Sequence, residues 1–144
     1  MSNPLHSTGP GRVAPGPHVI EATRAVYVPD GSVRLVPVTP TFYADLDRHF
    51  PSFSGHVLVS EHAFAEPWPT WEIHPHGDEL VYLLEGETDF VLWRNDSEHV
   101  VHVRGAGAFV VVPAGTWHTA RPRRPTRMLF LTPGEGTQNA ERPW

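Results

Sequence analysis

The chain has 144 residues, 40% hydrophobic and 19% charged, with a formal net charge of −5, and this length and composition predict one globular domain. Because the sequence contains neither cysteine nor lysine, it excludes disulfides, thiolate nucleophiles, cysteine-based zinc sites and Schiff-base lysines. The acidic balance argues against nucleic-acid binding, and the lack of a long apolar run or a signal-peptide pattern predicts a cytoplasmic protein with no membrane partner.

The two ends of the sequence differ from its middle. Residues 1–17 carry four prolines and three glycines with hardly any apolar side chain, and we expect them to form a disordered tail. From residue 133 the sequence is again rich in glycine and polar residues, so 133–144 is expected to be a C-terminal tail. The folded unit is therefore predicted to be a single domain over 18–132.

Short β-type segments separated by turn residues dominate this middle part. They are rich in β-branched and aromatic residues, and a spacing of roughly 8 to 12 residues between turns is typical of a sandwich or barrel. In chain order the segments are 26–28, 33–38, 56–64, 79–85, 88–93, 99–104, 108–112 and 128–131. After the second segment, a helix start at Thr39 and apolar residues every four positions from Phe42 to Phe50 predict one short helix near 40–50.

The first candidate site lies in the segment 71–79, directly before the strand predicted over 79–85. It contains His74 and His76 together with several carboxylates within eight positions. Neutral imidazole nitrogen and carboxylate oxygen are ligand types that divalent metals take in proteins. The segment alone is equally compatible with a polar loop that runs into a strand.

The second candidate lies in the segment 107–118. An apolar strand ends there at a Pro-x-Gly turn, Pro113 to Gly115, which delivers Trp117 and His118 to the start of the next strand. His118 is therefore expected on a rigid scaffold, as a ligand or as a hydrogen-bonded core histidine.

Together the two segments resemble the motifs of the cupin superfamily. The second cupin motif is matched by Gly107, Pro113, Gly115 and His118. Pro122 stands where that motif has asparagine. Glu79 and Gly86 fit the second half of the first motif. The strand between them ends in the sequence Tyr82-Leu83-Leu84-Glu85-Gly86, which is similar to the sequence usual in the family at this place. The twenty residues before Gly107 suit a hairpin, with Asn95-Asp96-Ser97 as its turn.

The first half of the first motif can be aligned in two ways. The cupin pattern has His-x-His, then three or four residues, then glutamate. If His74 is the second histidine, Glu72 stands in place of the first one. If His74 and His76 form the pair, only two residues separate them from Glu79. Both alignments stay open, because Glu72 and His74 share a strand face while the bend at 75–78 resets the phase before Glu79.

The resemblance implies an all-β fold, the double-stranded β-helix or cupin jelly-roll barrel. It also implies a divalent metal ion, Fe, Mn, Ni or Zn, at the barrel mouth, held by His74, Glu79 and His118 with His76 or Glu72 as the fourth ligand. The implied function is a metal-dependent enzyme of dioxygenase or isomerase type on a small oxygenated organic substrate. The alternative is a non-catalytic module that binds a small ligand or metal, or a module without metal. A homodimer is expected, since small cupins commonly pair through edge strands.

Several further residues are candidates for the pocket or for ligand binding. The expected pocket walls are Trp71, Val81, Leu83 and Trp117. His56 and His62 share a parity with apolar neighbours and could line a cavity, although a structural role is the preferred interpretation. The arginine-rich segment 121–127 is interpreted as a solvated loop, with binding of a substrate carboxylate or phosphate as the alternative.

Overall fold

The computed structural model describes residues 13–144, so most of the expected N-terminal tail, residues 1–12, lies outside the described residues. Within 13–144 there are nine β-strands and one α-helix. The strands are β1 (Thr23–Tyr27), β2 (Val33–Pro37), β3 (Val57–Phe64), β4 (Trp71–Ile73), β5 (Glu79–Arg94), β6 (Ser97–Arg104), β7 (Phe109–Val112), β8 (His118–Thr132) and β9 (Gln138–Ala140). The helix α1 (Phe42–His49) is followed by one 3-10 turn, Pro51–Phe53. No helix in this described range is long and apolar enough to cross a membrane.

All strand pairs are antiparallel, and β8 is the strand that joins the parts of the sheet. It pairs with β3, β4 and β5. The sheet continues from β3 to β1 and β2, from β4 to β9, and from β5 to β6 and β7. Because side chains alternate between the two faces of a strand, the apolar residues of the inner faces meet inside the curled sheet. The predicted all-β, double-stranded β-helix barrel with one short helix is confirmed.

Two apolar clusters form the core. The larger one consists of Val81, Leu83, Phe90, Leu92, Val103, Val110, Val112, Ala120, Met128 and Phe130. The smaller one consists of Val26, Val36, Phe42, Leu46, Phe53 and Leu58. Phe42 and Leu46 lie four residues apart on α1 and so face the same side, which explains why this short helix packs on the sheet.

β5 is one strand where the sequence pattern indicated two. The segments 79–85 and 88–93 are continuous, and the strand is irregular between Leu83 and Thr88, where its register with β8 shifts. Gly86 lies in this bend with a φ of 98°. A Cβ atom at this position would lie 2.3 Å from the carbonyl oxygen of Pro125. Only glycine accommodates both the positive φ and the close approach of the β8 backbone.

β8 is also longer than the predicted segment 128–131. It runs through Pro122 and Pro125, so the arginine-rich segment 121–127 lies in a strand, and the expectation of a loop is wrong. The prolines are tolerated because this is where the pairing with β5 is irregular, and proline enters sheets at bulges.

The hairpin between β5 and β6 confirms the predicted turn. Arg94 and Ser97 are the last paired residues, and Asn95 and Asp96 connect them. Both have positive φ, 51° and 58°, which is the type I′ geometry that fits the twist of two-residue hairpins.

Two short strands were not expected from the sequence. β4 and β9 pair with each other over three residues, too few to produce a recognisable periodicity. β9 belongs to the segment 133–144 that was expected to be a tail, and it positions residues beside the site described next.

Candidate metal centre

Three strands bring four potential metal ligands to one point. Glu72 in β4 and His118 at the start of β8 are directly paired across antiparallel strands, so their side chains leave the sheet on the same side. His74 lies two residues beyond Glu72 and follows the same face. Glu79 is the first residue of β5. The four side chains form one group in which the possible ligand atoms all lie within 4.8 Å of one another.

The contacts within this group are short and largely buried. Nε2 of His74 lies 2.8 Å from Oε1 of Glu72 and 3.2 Å from Oε2 of Glu79. Nε2 of His118 lies 3.2 Å from Oε1 of Glu79. His74, Glu79 and His118 are 3%, 1% and 0% exposed, whereas the Glu72 side chain is 31% exposed. Glu72 therefore faces the open side of the group.

Despite these short distances, three of the atoms have no partner in hydrogen-bond geometry within residues 13–144. They are Nε2 of His74, Oε1 of Glu79 and Nε2 of His118. Buried polar atoms are otherwise nearly always hydrogen-bonded. Atoms that are close together, buried and misaligned for mutual hydrogen bonds have the arrangement expected around a cation. The described side chains therefore fit a metal ion.

Hydrogen bonds on the far side of each ring fix which nitrogen is available. Oγ1 of Thr137 donates to the carbonyl of Gly134 at 2.9 Å, so it accepts from Nδ1 of His74 at 2.8 Å. Nδ1 of His118 donates to the carbonyl of Thr116 at 3.0 Å. With Nδ1 protonated in both rings, the Nε2 lone pairs face the centre, as in histidines that ligate metals.

Glu79 is oriented in the same manner. Oγ1 of Thr132 donates to Oε2 of Glu79 at 2.6 Å. The pairing of Leu80 with Leu131 places Thr132 opposite Glu79 at the next position of β8. A hydroxyl that donates to one carboxylate oxygen leaves the other oxygen, Oε1, to the centre.

The charges of the group shift two pKa values in opposite directions. Burial disfavours the charged form of His74, but the carboxylates of Glu72 and Glu79 outweigh burial and raise its pKa to about 9. Burial likewise opposes ionisation of Glu79, and His118 and His74 outweigh it, so the pKa of Glu79 is lowered to about 2. In the metal-free site, His74 is therefore protonated and Glu79 ionised at neutral pH.

The Pro-x-Gly turn before His118 is tied to the first motif. The amide of Gly115 donates to the carbonyl of His74 at 3.0 Å, and the amide of Ala114 donates to Oδ1 of Asp78 at 2.8 Å. Gly115 has a φ of 74°, a conformation in which glycine is favoured. The two sequence motifs therefore hold each other in position.

Of the two candidates for a fourth ligand, the structure brings Glu72 into the group and leaves His76 outside it. His76 is exposed and lies in the loop after His74, beside Gly136. The β4 pairing of Glu72 with His118 explains the difference, since no strand contact of this kind directs His76 toward the centre.

A cavity of about 890 Å³ opens onto Glu72, His74 and Glu79. It extends from these residues toward α1, where Leu46 and Asp47 line it. The apolar part of its wall includes Leu46, Phe53, Leu58, Ala63, Phe64, Trp68 and Phe130. Cavities of this size hold small organic molecules.

The four predicted pocket residues lie elsewhere. Val81 and Leu83 do point into the barrel, but they are fully buried in the larger core cluster. Trp71 packs edge to face against Trp93 at 6.2 Å between ring centroids. The carbonyl of Trp117 accepts a hydrogen bond from the amide of Trp93. The structure does not bring these residues to the lining of the cavity.

His62 is a cavity residue that the sequence indicated only weakly. It lies on β3 and stacks edge to face on Phe130, with ring centroids 5.4 Å apart. His62 is exposed to solvent, yet desolvation by nearby protein atoms, together with Arg24, lowers its pKa. Its strand parity with Leu58 was the available signal. For Thr132 and Thr137, no sequence signal pointed to the site.

Three of the four arginines of β8 pair with carboxylates on β3, β5 and β6. Arg121 forms two hydrogen bonds with Glu98, of 2.8 and 2.6 Å, and Arg123 pairs with Asp89 at 3.1 Å. Arg127 pairs with Glu61 at 2.8 Å. These exposed cross-strand pairs lie on the sheet surface and none of the three arginines lines the cavity.

Comparison with known proteins identifies relatives of the fold. The family model for the cupin domain matches residues 57–132, which includes all four residues of the group. No curated protein matches the chain.

Solved structures similar to the chain include oxalate oxidase in complex with glycolate, with 21% identity and a TM-score of 0.49 over 57% of this chain and 45% of that one. Oxalate decarboxylase from Bacillus subtilis, which has Mn(II) centres, shows 15% identity and a TM-score of 0.49, covering 58% and 23%. A cupin-2 domain protein from Shewanella frigidimarina shows 18% identity and a TM-score of 0.44, covering 54% and 70%. The chain spans less than half the length of the oxalate oxidase and oxalate decarboxylase chains.

Proposed function

Because the chain belongs to the cupin family, we propose that it binds a divalent metal ion through Glu72, His74, Glu79 and His118 and acts as a metal-dependent enzyme on a small oxygenated organic molecule. The observation that carries the proposal is the buried group of four side chains opening onto the 890 Å³ cavity. The reaction class is that of a dioxygenase or an isomerase.

The donor set suits Fe, Mn, Ni or Zn, since two imidazole nitrogens and two carboxylate oxygens are borderline and hard ligands. A bound metal would supply Lewis acidity to substrate oxygen atoms that coordinate it. Thr132 and Thr137 hold Glu79 and His74 in the orientation that such a site requires.

Side chains around the cavity would exclude water and accept a proton from the substrate. The apolar residues that line the cavity, Phe53 and Phe130 among them, would exclude water around a bound substrate. His62 supplies an imidazole whose lowered pKa keeps it neutral at pH 7, so that it can accept a proton from a substrate in the cavity. A neutral imidazole that lines the same cavity as Glu72, His74 and Glu79 favours an enzyme over a passive binding module.

The first test is elemental analysis of untagged protein purified without chelator. We expect close to one metal ion per chain, and a loss of most of that metal in His118→Ala. His76→Ala is the matched control, because this exposed histidine lies outside the group, and it should retain the metal. Circular dichroism checks that each variant is folded. Metal far below one per chain after incubation with all four ions would contradict the proposal.

The identity of the metal then directs the search for a reaction. Iron would select oxygen-dependent substrates, measured by oxygen consumption, whereas manganese, nickel or zinc would select isomerase-type or hydrolytic substrates. With an active substrate, His62→Gln should lower turnover while leaving the metal content unchanged. Binding without turnover in every case would identify a non-catalytic module.

We also propose that the protein is a homodimer. Among the described strands, β7 pairs with β5 alone, and its outward residues Phe109 and Val111 are 53% and 47% exposed. Tyr82 stacks on Phe109 with ring centroids 4.8 Å apart. An apolar strand at a sheet edge is suited to pairing with the same strand of a second copy.

A further inference from the structure

We infer that the cavity selects an uncharged substrate, with an apolar or aromatic body and a pair of metal-coordinating oxygen atoms, and discriminates against small dianions. This inference rests on the proposed function, because it assumes that a divalent metal occupies the group of four side chains. Three independent features of the described residues support it: the charge of the donor set, the charge of the cavity wall and the composition of that wall.

The donor set cancels the charge of the metal. Glu72 and Glu79 contribute two negative charges, and His74 and His118 are neutral when they bind through Nε2. The divalent ion and these four ligands would together carry no net charge. A site in which histidine stood at position 72 would keep one positive charge. Glu72 also lies at the open side of the group, with 31% of its side chain exposed, so it repels an approaching anion directly.

Among the described residues, the wall of the cavity offers no arginine that could pair with an anionic substrate in place of a positively charged metal site. None of the arginines within 13–144 lines it. Arg24 comes near enough to affect His62, but its guanidinium lies 4.6 Å above the ring of Phe42, outside the lining. The lining instead includes Asp47 at the end near α1. An anionic substrate would therefore lose its hydration without gaining a charged partner.

The wall does offer a cluster of aromatic rings in the same cavity as the metal group. Trp68 packs on Phe130 at 5.9 Å between ring centroids and on Phe64 at 5.5 Å, and all three line the cavity. Faces and edges of such rings pack against aromatic ligands. Ser60 and His62 line the same cavity and add hydrogen-bonding groups without charge.

The inference is tested with two probes that chelate metals through two oxygen atoms. Catechol is uncharged in solution at pH 7, has an aromatic body and releases a proton to the buffer when it chelates the metal, whereas oxalate is a dianion in solution and has no such body. We expect Mn(II)-loaded protein to bind catechol at least about tenfold more tightly than oxalate in isothermal titration calorimetry. Electron paramagnetic resonance verifies that Mn(II) stays on the protein during each titration.

Two variants separate the charge argument from the packing argument. Glu72→His should shift the preference by at least about tenfold toward oxalate, because the metal site then keeps a positive charge. Trp68→Ala should weaken catechol binding and leave oxalate binding unchanged. Trp93→Ala is the matched control, since Trp93 packs on Trp71 outside the cavity, and it should change neither affinity.

The outcomes distinguish this inference from the proposed function. Failure to load Mn(II) or any of the other ions would contradict the proposed metal site itself. Normal loading with equal or tighter binding of oxalate, or with no binding of either probe, would overturn the inference about the substrate and leave the metal site standing.

Discussion

At the scale of single residues, opposite charges at the site make the metal-free protein sensitive to pH. The pKa of His74 is raised from 6.5 to about 9, so its contribution to stability is fully present below pH 6.5 and is lost as the pH rises through about 9. The pKa of Glu79 is lowered from 4.5 to about 2, so its contribution is present above pH 4.5 and is lost as the pH falls through about 2.

These shifts predict proton release when metal binds. A metal at Nε2 of His74 must displace the proton that the raised pKa keeps there at neutral pH. We expect release of about one proton per metal ion at pH 7, measured by calorimetry in two buffers with different ionisation enthalpies. The apparent metal affinity should rise with pH between 6 and 9. Equal binding enthalpies in both buffers would show that His74 is not the displaced group.

Thr137 is a second residue whose effect can be isolated. Its hydroxyl accepts from Nδ1 of His74, and Thr137→Val keeps the shape of the side chain but removes that acceptor. We expect metal affinity to fall by about 10- to 100-fold, measured by competition with a chromophoric chelator. Thr137→Ser retains the hydroxyl and should restore most of the affinity. If valine and serine behave alike, the hydrogen bond does not orient His74.

At the scale of secondary structure elements, the bend of β5 depends on Gly86. Gly86→Ala would introduce both a strained positive φ and a clash with the backbone of Pro125, so we expect a loss of at least about 3 kcal/mol in the free energy of unfolding. Gly105→Ala is the matched control. Gly105 has a φ of 85° with no atom near its would-be Cβ, so it should lose only about 1 to 2 kcal/mol. Urea denaturation measures both, and equal losses would argue against the steric contribution.

The sequence predicted most elements of this fold, because periodicity and turn chemistry are local signals. The hairpin turn at Asn95 and Asp96 is an example, since its geometry is set by two residues. The continuity of β5 was missed because the glycine that punctuates the pattern permits a bend without ending the strand. β4 and β9 were missed because three residues carry no period, and their pairing joins segments far apart in the chain.

At the scale of the whole molecule, the pairing of strands far apart in the chain limited how much of the site could be predicted from the sequence. His74, Glu79 and His118 were implied by the resemblance to the cupin motifs, and the structure brings them together. The choice between Glu72 and His76 depends on which residue pairs with His118 across two strands, and spacing along one segment does not contain that information. The wall of the cavity includes residues of β3, β8 and the loop around Trp68. Local parity near Glu79 contains no information about these segments.

The proposed homodimer gives a prediction at this scale. Sedimentation equilibrium should yield twice the 16.1 kDa mass of the chain, and Phe109→Glu combined with Val111→Glu should yield the monomer, because buried like charges oppose pairing of the two β7 strands. Val100→Glu changes an equally exposed valine on β6 and is the control that should leave the mass unchanged. A wild-type monomer at micromolar concentration would contradict the proposal.

The hydrogen bond from His74 to Thr137 joins residues 63 positions apart in the chain. Strand β9 begins directly after Thr137 and pairs with β4. During synthesis, Glu72, His74, Glu79 and His118 all leave the ribosome before the segment that orients His74 exists as folded chain. We therefore expect tight metal binding only after the segment that contains Thr137 has been synthesised and folded. A nascent chain that stops short of residue 137 would present the ligands without the hydrogen bond that orients His74, and so we expect it to hold metal more weakly than the full chain does.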